Sequence, residues 1–134
     1  MSFKSALVKD YMSGKLVTFT PDTDVLDAIH ELLQHRIAGA PVIDDHGNLV
    51  GMLSEMDCLD AILSSTYNES GLGHVGAYMT SDDLVVTTTA CDVVDVAQRM
   101  MEHKMRRLPV VDGKRLVGQI TCRQILQAVK NFSR

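Results

Sequence analysis

The chain has 134 residues, which suits one ordinary domain or two very small ones. Hydrophobic residues make up 46% and charged residues 22%, a composition typical of a globular protein and not of a disordered chain or a fibre. The net charge of −4 weighs against a general nucleic-acid binder, and no apolar run reaches the roughly 18 residues that a membrane span needs.

The cysteines and the N-terminus bear on the compartment. Cys58, Cys91 and Cys122 form no CxxC pair, and pairing any two of them leaves one over. The first residues lack the apolar segment of a secretory signal. These features predict reduced thiols and a cytoplasmic location.

The sequence repeats itself at a spacing of 67 or 68 residues. The one gained and one lost residue fall in loops, as expected for a duplicated structural unit. The repeat predicts a first domain over 1–66, a connecting segment over 67–76 and a second domain over 77–134. The matching pairs include Tyr11-Met12 with Tyr78-Met79, Pro41–Asp44 with Pro109–Asp112, and Leu49–Gly51 with Leu116–Gly118.

In the first repeat, Leu16–Thr20 is rich in β-forming residues and leads into the turn at Pro21-Asp22. Apolar residues at helical spacing then predict a helix with Thr23 or Asp24 as its N-cap. A strand entered through a proline, a second hairpin strand and a final helix follow. These three elements are Ala40–Ile43, Leu49–Leu53 and Glu55–Leu63.

The second repeat predicts the same order of elements, so that each repeat reads β-α-β-β-α. We expect a right-handed β-α-β crossover in each, with the helices covering one face of the sheet. The predicted elements are a strand at Leu84–Thr88, a helix with apolar positions from 93 to 105, strands at Leu108–Val111 and Leu116–Ile120, and a helix at Arg123–Val129.

Both repeats place a capping-box pattern where the hairpin meets the last helix. Ser54-x-x-Asp57 and Thr121-x-x-Gln124 would each stabilise a helix start by about 1 kcal/mol. A helix N-terminus also attracts anions, and a hydroxyl beside a carboxylate there could bind a sugar-phosphate. Glutamine caps as well as aspartate but brings no carboxylate, so the second repeat keeps the cap and loses a ribose acceptor.

The repeat resembles the cystathionine-β-synthase (CBS) domain in its opening VTFTPDTDVLDA, its strands HRIAGAPVID and MRRLPVVD, and its junctions LVGMLSEMD and LVGQITCRQ. Two such units in tandem resemble a Bateman module, from about Val8 to Val129. The resemblance implies an α/β (α+β) fold in which two β-α-β-β-α repeats pack through their sheets as a CBS-domain pair. It also implies two equivalent clefts, where AMP, ADP, ATP or S-adenosylmethionine often bind.

The resemblance further implies a set of ligand-binding residues. Ser54 and Asp57 match the motif G-x-x-[ST]-x-x-D, which Gly51 opens and whose aspartate binds the ribose. Thr18 matches a polar residue that lines the base pocket, and Ala40 matches the small position beside the base. Basic residues of the second repeat match positions that reach the phosphates, namely Arg106, Arg107 and Arg123.

The charge distribution suits this assignment. Residues 1–67 hold 4 basic and 10 acidic residues, whereas residues 68–134 hold 9 basic and 7 acidic ones. A second cleft would have Thr121 and Gln124 in place of the Ser–Asp pair, so it lacks the ribose acceptor. It also lacks the phosphate-binding arginines, because the first repeat has Ala38 and Gly39 where the second has Arg106 and Arg107. We therefore expect one competent cleft and a second that binds weakly or stays empty.

The leading hypothesis is a stand-alone regulatory CBS pair that binds an adenosine-containing small molecule and signals to an unidentified regulated protein. A homodimer is expected from the resemblance, with neither a cofactor nor a metal site. The alternative is a purely structural interaction module whose capping boxes are only caps. An enzyme is disfavoured because no catalytic motif is present, and a nucleic-acid role rests only on the basic stretch Arg99–Arg115.

Overall fold

The computed structural model describes residues 6–65 and 71–132. These residues form helices and two β-hairpins, which confirms the mixed α and β class. Residues 66–70, which include part of the predicted connecting segment, lie outside the described residues, as do both chain ends. In chain order the elements are α1 (Val8–Tyr11), α2 (Val25–His35), β1 (Gly39–Ile43), β2 (Leu49–Ser54), α3 (Glu55–Ser65), a 3₁₀ helix (Val75–Ala77), α4 (Val93–His103), β3 (Arg107–Asp112), β4 (Arg115–Thr121) and α5 (Cys122–Phe132).

The chain divides into two compact units whose limits differ from those of the sequence repeats. The first-hairpin unit is Val17–Leu84, and it contains β1 and β2. The second-hairpin unit joins the residues up to Leu16 with those from Val85 onward, and it contains β3 and β4. Each unit therefore holds residues that the repeat pattern places at the start of the other repeat. These leading segments are residues 6–16, in the second-hairpin unit, and residues 77–84, in the first-hairpin unit.

The two hairpins have the same antiparallel register. In the first-hairpin unit Gly39 lies opposite Ser54 and Val42 opposite Gly51, with an irregularity after Val42. In the second-hairpin unit the corresponding pairs are Arg107 with Thr121 and Val110 with Gly118, with an irregularity after Val110. The shared register confirms that the duplicated sequence forms a duplicated structure.

The predicted strands Leu16–Thr20 and Leu84–Thr88 are reduced to one bridging residue each, a correction to the expectation. Phe19 bridges to Val42 in parallel, since its N–H donates to the Pro41 carbonyl at 3.0 Å and its own carbonyl accepts from the Ile43 N–H at 2.8 Å. The next bond of this ladder would need the N–H of residue 41, which proline lacks. Pro109 interrupts the ladder of the second-hairpin unit in the same way.

Each core lies between a hairpin and two helices. In the first-hairpin unit, buried apolar residues from α2, α3 and both strands pack together, and Val75 of the 3₁₀ helix is fully buried among them. In the second-hairpin unit, α4, α5 and both strands pack around Val8. The second core therefore depends on a segment far away in sequence.

The leading segments also extend the edges of the hairpins. Ser13 and Gln119 exchange two backbone hydrogen bonds of 2.9 and 3.0 Å. Met52 and Thr80 exchange two of 2.9 Å in the other unit. The close approach requires glycine at the equivalent hairpin positions: a Cβ on Gly118 would lie 2.7 Å from the Ser13 carbonyl oxygen.

The helices α2 and α4 begin and end alike. Asp24 caps α2 by accepting the Leu26 N–H at 2.8 Å, and Asp92 caps α4 by accepting the Asp95 N–H at 2.9 Å. This selects Asp24 from the two predicted candidates. Both helices end at a residue in the left-handed conformation, namely Arg36 (φ 53°) and Lys104 (φ 55°).

Candidate functional site

The junction between β2 and α3 contains the predicted capping box. The Ser54 N–H donates to Asp57 Oδ2 at 2.8 Å, and the Asp57 N–H donates to Ser54 Oγ at 3.2 Å. The Glu55 N–H donates to the Ala38 carbonyl at 3.0 Å, which attaches the helix start to the beginning of β1. Both side chains of the box are thus held by backbone groups in a fixed orientation.

The junction between β4 and α5 has the same bonds with a different side chain. The Thr121 N–H donates to Gln124 Oε1 at 2.8 Å, and the Gln124 N–H donates to Thr121 Oγ1 at 3.3 Å. The Cys122 N–H donates to the Arg106 carbonyl at 2.9 Å, as Glu55 does to Ala38. The glutamine therefore reproduces the cap, and the two junctions differ by one carboxylate.

Asp57 has acceptor capacity beyond its capping role. Its side chain is half-buried, and only Oδ2 accepts a hydrogen bond from the residues that the structure describes. A carboxylate at a helix start with one oxygen left over can accept hydrogen bonds from a polyol. The arrangement thus suits a ligand with neighbouring hydroxyl groups.

Thr18 and Ser54 lie on the same face of the first-hairpin sheet. Phe19 and Val42 are bridged and both are buried in the core, so the neighbouring Thr18 is on the opposite face. Ala40 is in the core, so its neighbour Gly39 is on the face away from the core. Ser54 lies opposite Gly39 and is therefore on that same outer face. The hydroxyl of half-buried Thr18 can contribute to a site on this face.

Ala40 and Gly51 have structural explanations. Ala40 is 1% exposed and belongs to the core of the first-hairpin unit, so packing accounts for its small side chain. A Cβ on Gly51 would lie 2.6 Å from Met79 Sδ, so close approach of the leading segment accounts for the glycine. Met79 was not among the candidate residues, although its match with Met12 in the repeat was visible in the sequence.

The three candidate arginines lie around the junction of β4 and α5, in the second-hairpin unit. Arg107 is half-buried and lies directly opposite Thr121 across the hairpin. Arg106 and Arg123 are exposed, the first with its carbonyl bonded to the helix start and the second as the second residue of α5. The candidates thus fall into two local groups: the hydroxyl–carboxylate group with Asp57, and the hydroxyl–amide group with the arginines.

Cys58, which follows Asp57, belongs to the core and not to the site. Its side chain is buried, and burial raises the pKa of the thiol, with further contributions from the charges of Asp57 and Glu55. A raised pKa favours the protonated thiol, which is the less nucleophilic form.

A cavity of about 530 Å³ lies along α4 and α5 in the second-hairpin unit. Apolar side chains dominate its lining, and several of them are methionines, which adapt readily to different partners. Two of the lining residues are largely exposed, Met101 at 81% and Leu126 at 67%. The high methionine content thus contributes to a surface here as well as to the core.

Within residues 6–65 and 71–132, no group of three His, Cys, Asp or Glu side chains could hold a metal ion. None of the helices in this part of the chain is long and apolar enough to cross a bilayer.

Comparison with protein-family models matches the CBS domain twice, at residues 8–64 and 75–131. Among curated proteins, the uncharacterized protein MJ1225 of Methanocaldococcus jannaschii is 33% identical over 114 residues, which cover 85% of this chain and 39% of that protein. The chloroplastic CBS domain-containing protein CBSX2 of Arabidopsis thaliana is 32% identical over 95% of this chain and 65% of its own length. The chain thus spans less than two thirds of either relative.

Solved structures resemble the chain over nearly its whole length. CBSX2 in complex with AMP has a TM-score of 0.85 at 33% identity and covers 97% of this chain and 100% of that one. The CBS domain pair of protein MJ0100, in complex with 5′-methylthioadenosine and S-adenosyl-L-methionine, has a TM-score of 0.79 at 26% identity, with coverages of 96% and 98%.

Proposed function

Because the chain belongs to the CBS domain family through both of its repeats, we propose that it is a regulatory module that binds an adenosine-containing ligand and has no catalytic activity of its own. The observation that carries the proposal is the unequal pair of capping boxes, of which only one has a carboxylate. The ligands in the similar structures, AMP, 5′-methylthioadenosine and S-adenosylmethionine, all contain adenosine and support the same ligand class.

Asp57 is the proposed ribose acceptor. Its Oδ2 is engaged by the Ser54 N–H, and the remaining oxygen can accept from a ribose hydroxyl. A hydrogen bond to a charged acceptor contributes about 1.5–3 kcal/mol, which corresponds to roughly 10- to 150-fold in affinity. Thr18, on the same sheet face as Ser54, is the proposed contact to the base. Gly51 and Ala40 then support the site through packing.

Arg106, Arg107 and Arg123 are the proposed phosphate ligands. Guanidinium groups bind phosphate oxygens through charge-assisted, often bidentate, hydrogen bonds. Thr121 and Gln124 provide no carboxylate for a ribose, so we propose that a site built on them binds weakly or stays empty.

A competing reading has a specific observation in its favour. Both capping boxes are complete through bonds within the protein, and all four bonds lie between 2.8 and 3.3 Å. A structural interaction module without a ligand would need nothing more from these residues.

Thermal unfolding with AMP, ADP, ATP and S-adenosylmethionine decides between the two. A ligand at a hundredfold excess over its Kd adds about 2.7 kcal/mol to the folded state. For a chain of this size we expect a rise in Tm of roughly 10 °C. If none of the four ligands shifts the Tm, the structural module is the correct reading.

We propose that the chain also forms a homodimer through its helices. Large apolar side chains on all four long helices are exposed among the described residues: Leu33 at 71%, Met56 at 72%, Met101 at 81% and Leu126 at 67%. Exposed apolar surface of this kind marks protein interfaces. Light scattering of the purified protein should give twice the chain mass, and M101E should lower it toward one. A monomer at micromolar concentration would contradict the dimer and leave these helices for the regulated protein.

A reducing compartment such as the cytoplasm fits this proposal, because all three cysteines are free. Mass spectrometry of the protein alkylated without reductant should find all three thiols modified after unfolding.

A further inference from the structure

Cys91 lies in the turn before α4, where hydroxyl groups surround its sulfur. Thr88 Oγ1 lies 3.4 Å from Cys91 Sγ, and the Cys91 N–H donates to the Thr88 carbonyl at 3.3 Å. The side chain is half-buried, so small reagents can reach the sulfur. The turn thus places a hydroxyl group, which can donate a hydrogen bond, against an accessible thiol.

A second hydroxyl, that of the buried Thr87, lies within reach of the same sulfur. Thr87 is 3% exposed, and its Oγ1 makes no hydrogen bond with any described residue. A buried hydroxyl without a partner destabilises the folded state. A thiolate is a stronger acceptor than a thiol, so ionisation of Cys91 gives this donor the partner that it lacks in the neutral state.

The positive charge of Arg99 acts in the same direction. The pKa of Cys91 is lowered, first by the Thr87 hydroxyl, then by Thr88, and further by the positive charge of Arg99. Arg99 is held in place because its Nη1 donates to the Val86 carbonyl at 2.6 Å. The adjoining elements also carry the N-cap Asp92, Asp95 and Glu102 at α4, and Lys9 and Asp10 on α1.

We propose that Cys91 is a covalent modification site, at which its thiolate attacks low-molecular-weight disulfides. The reagent's S–S bond breaks, a new S–S bond forms to Cys91 Sγ, and the other half of the reagent leaves as a thiolate. The exchange conserves electrons, so no separate oxidant is needed. The site belongs to the second-hairpin unit alone and is independent of the proposed nucleotide function.

The modification would act on the N-terminal segment of residues 6–12. The Val8 N–H donates to the Cys91 carbonyl at 2.9 Å, and the Val93 N–H donates to the Ala6 carbonyl at 2.9 Å. Ala6 and Val8 are both part of the core of the second-hairpin unit. A group added to the sulfur beside these bonds has to displace its neighbours, so it weakens the attachment of the segment.

The rate of alkylation by iodoacetamide at neutral pH tests the site, with mass spectrometry assigning each cysteine of the folded protein. We expect Cys91 to react several-fold faster than the equally half-buried Cys122, and the buried Cys58 to react slowest. The isosteric variant T87V should slow Cys91 several-fold while T87S restores the rate. A Cys91 no faster than Cys122, or a rate that T87V leaves unchanged, overturns the proposal.

Oxidised glutathione tests the consequence. We expect a mixed disulfide on Cys91, together with faster hydrogen exchange at the amides of Val8 and Val93. The variant C91S, treated in the same way, should show neither change. Absence of the adduct overturns the proposal. An adduct without faster exchange at these two amides contradicts the effect on the segment.

Discussion

Replacing Asp57 by glutamine separates helix capping from ligand binding, because Gln124 shows that this protein accepts a glutamine cap. Asp57 accepts the Ser54 N–H at 2.8 Å, and Gln124 accepts the Thr121 N–H at the same distance. The glutamine of D57Q can therefore accept the Ser54 N–H in place of Asp57. What D57Q removes is the negative charge at the start of α3, worth about 0.3–1 kcal/mol. D57A removes the acceptor as well, for a total of about 1–2 kcal/mol.

These values translate into distinct measurements. At about 4 °C per kcal/mol for this chain length, we expect D57Q to lower the Tm by roughly 1–4 °C and D57A by roughly 4–8 °C. Both variants should lose the charge-assisted bonds to the ribose and bind AMP roughly 10- to 150-fold more weakly in calorimetric titration. The matched control is Q124A, which should lose about 1 kcal/mol of stability with AMP affinity unchanged.

Two results would refute the reasoning. If D57Q binds AMP as tightly as the unmodified protein, the carboxylate is not the ribose acceptor. If D57Q is as unstable as D57A, the glutamine does not cap here and the equivalence of the two junctions fails.

Three further substitutions test the packing, the helix ends and the phosphate ligands. G118A should lower the free energy of unfolding by about 1–3 kcal/mol in chemical denaturation, because its Cβ would meet the Ser13 carbonyl at 2.7 Å. The control is G14A, which should change that free energy by less than about 0.5 kcal/mol because the nearest atom to a Cβ there is 3.9 Å away. K104G should stabilise by about 0.5–1 kcal/mol, since glycine adopts the φ of 55° without strain, and an unchanged or lower Tm would count against this. R107A should weaken AMP roughly tenfold and leave adenosine unaffected; equal losses for both ligands would mean that Arg107 does not bind the phosphate.

Local signals in the sequence predicted most of the fold. The hairpins followed from turn residues between β-rich runs, and α2 and α4 followed from apolar periodicity and a capping aspartate. The capping boxes at Ser54 and Thr121 were predicted to the residue, because every partner lies within three positions along the chain.

Features that depend on distant partners were not predicted. The membership of residues 6–12 in the second-hairpin unit arises from packing around Val8 and from the bond between Ser13 and Gln119, for which no local pattern exists. Ala40 was assigned to the ligand by resemblance, while strand alternation places it in the core. The truncation of the first strands could have been predicted, since Pro41 and Pro109 lack the N–H that a longer ladder needs.

Because each unit contains the leading segment of the other repeat, one unit is continuous in sequence and the other is not. The two units therefore become able to fold at different stages of synthesis. The first-hairpin unit is continuous, so all of its contacts become possible once Leu84 has left the ribosome. The second-hairpin unit has to keep residues 6–12 unpaired until the strands and helices after Val85 are made. Residues 6–12 are thus synthesised before the rest of their unit and complete their contacts only after it has been made.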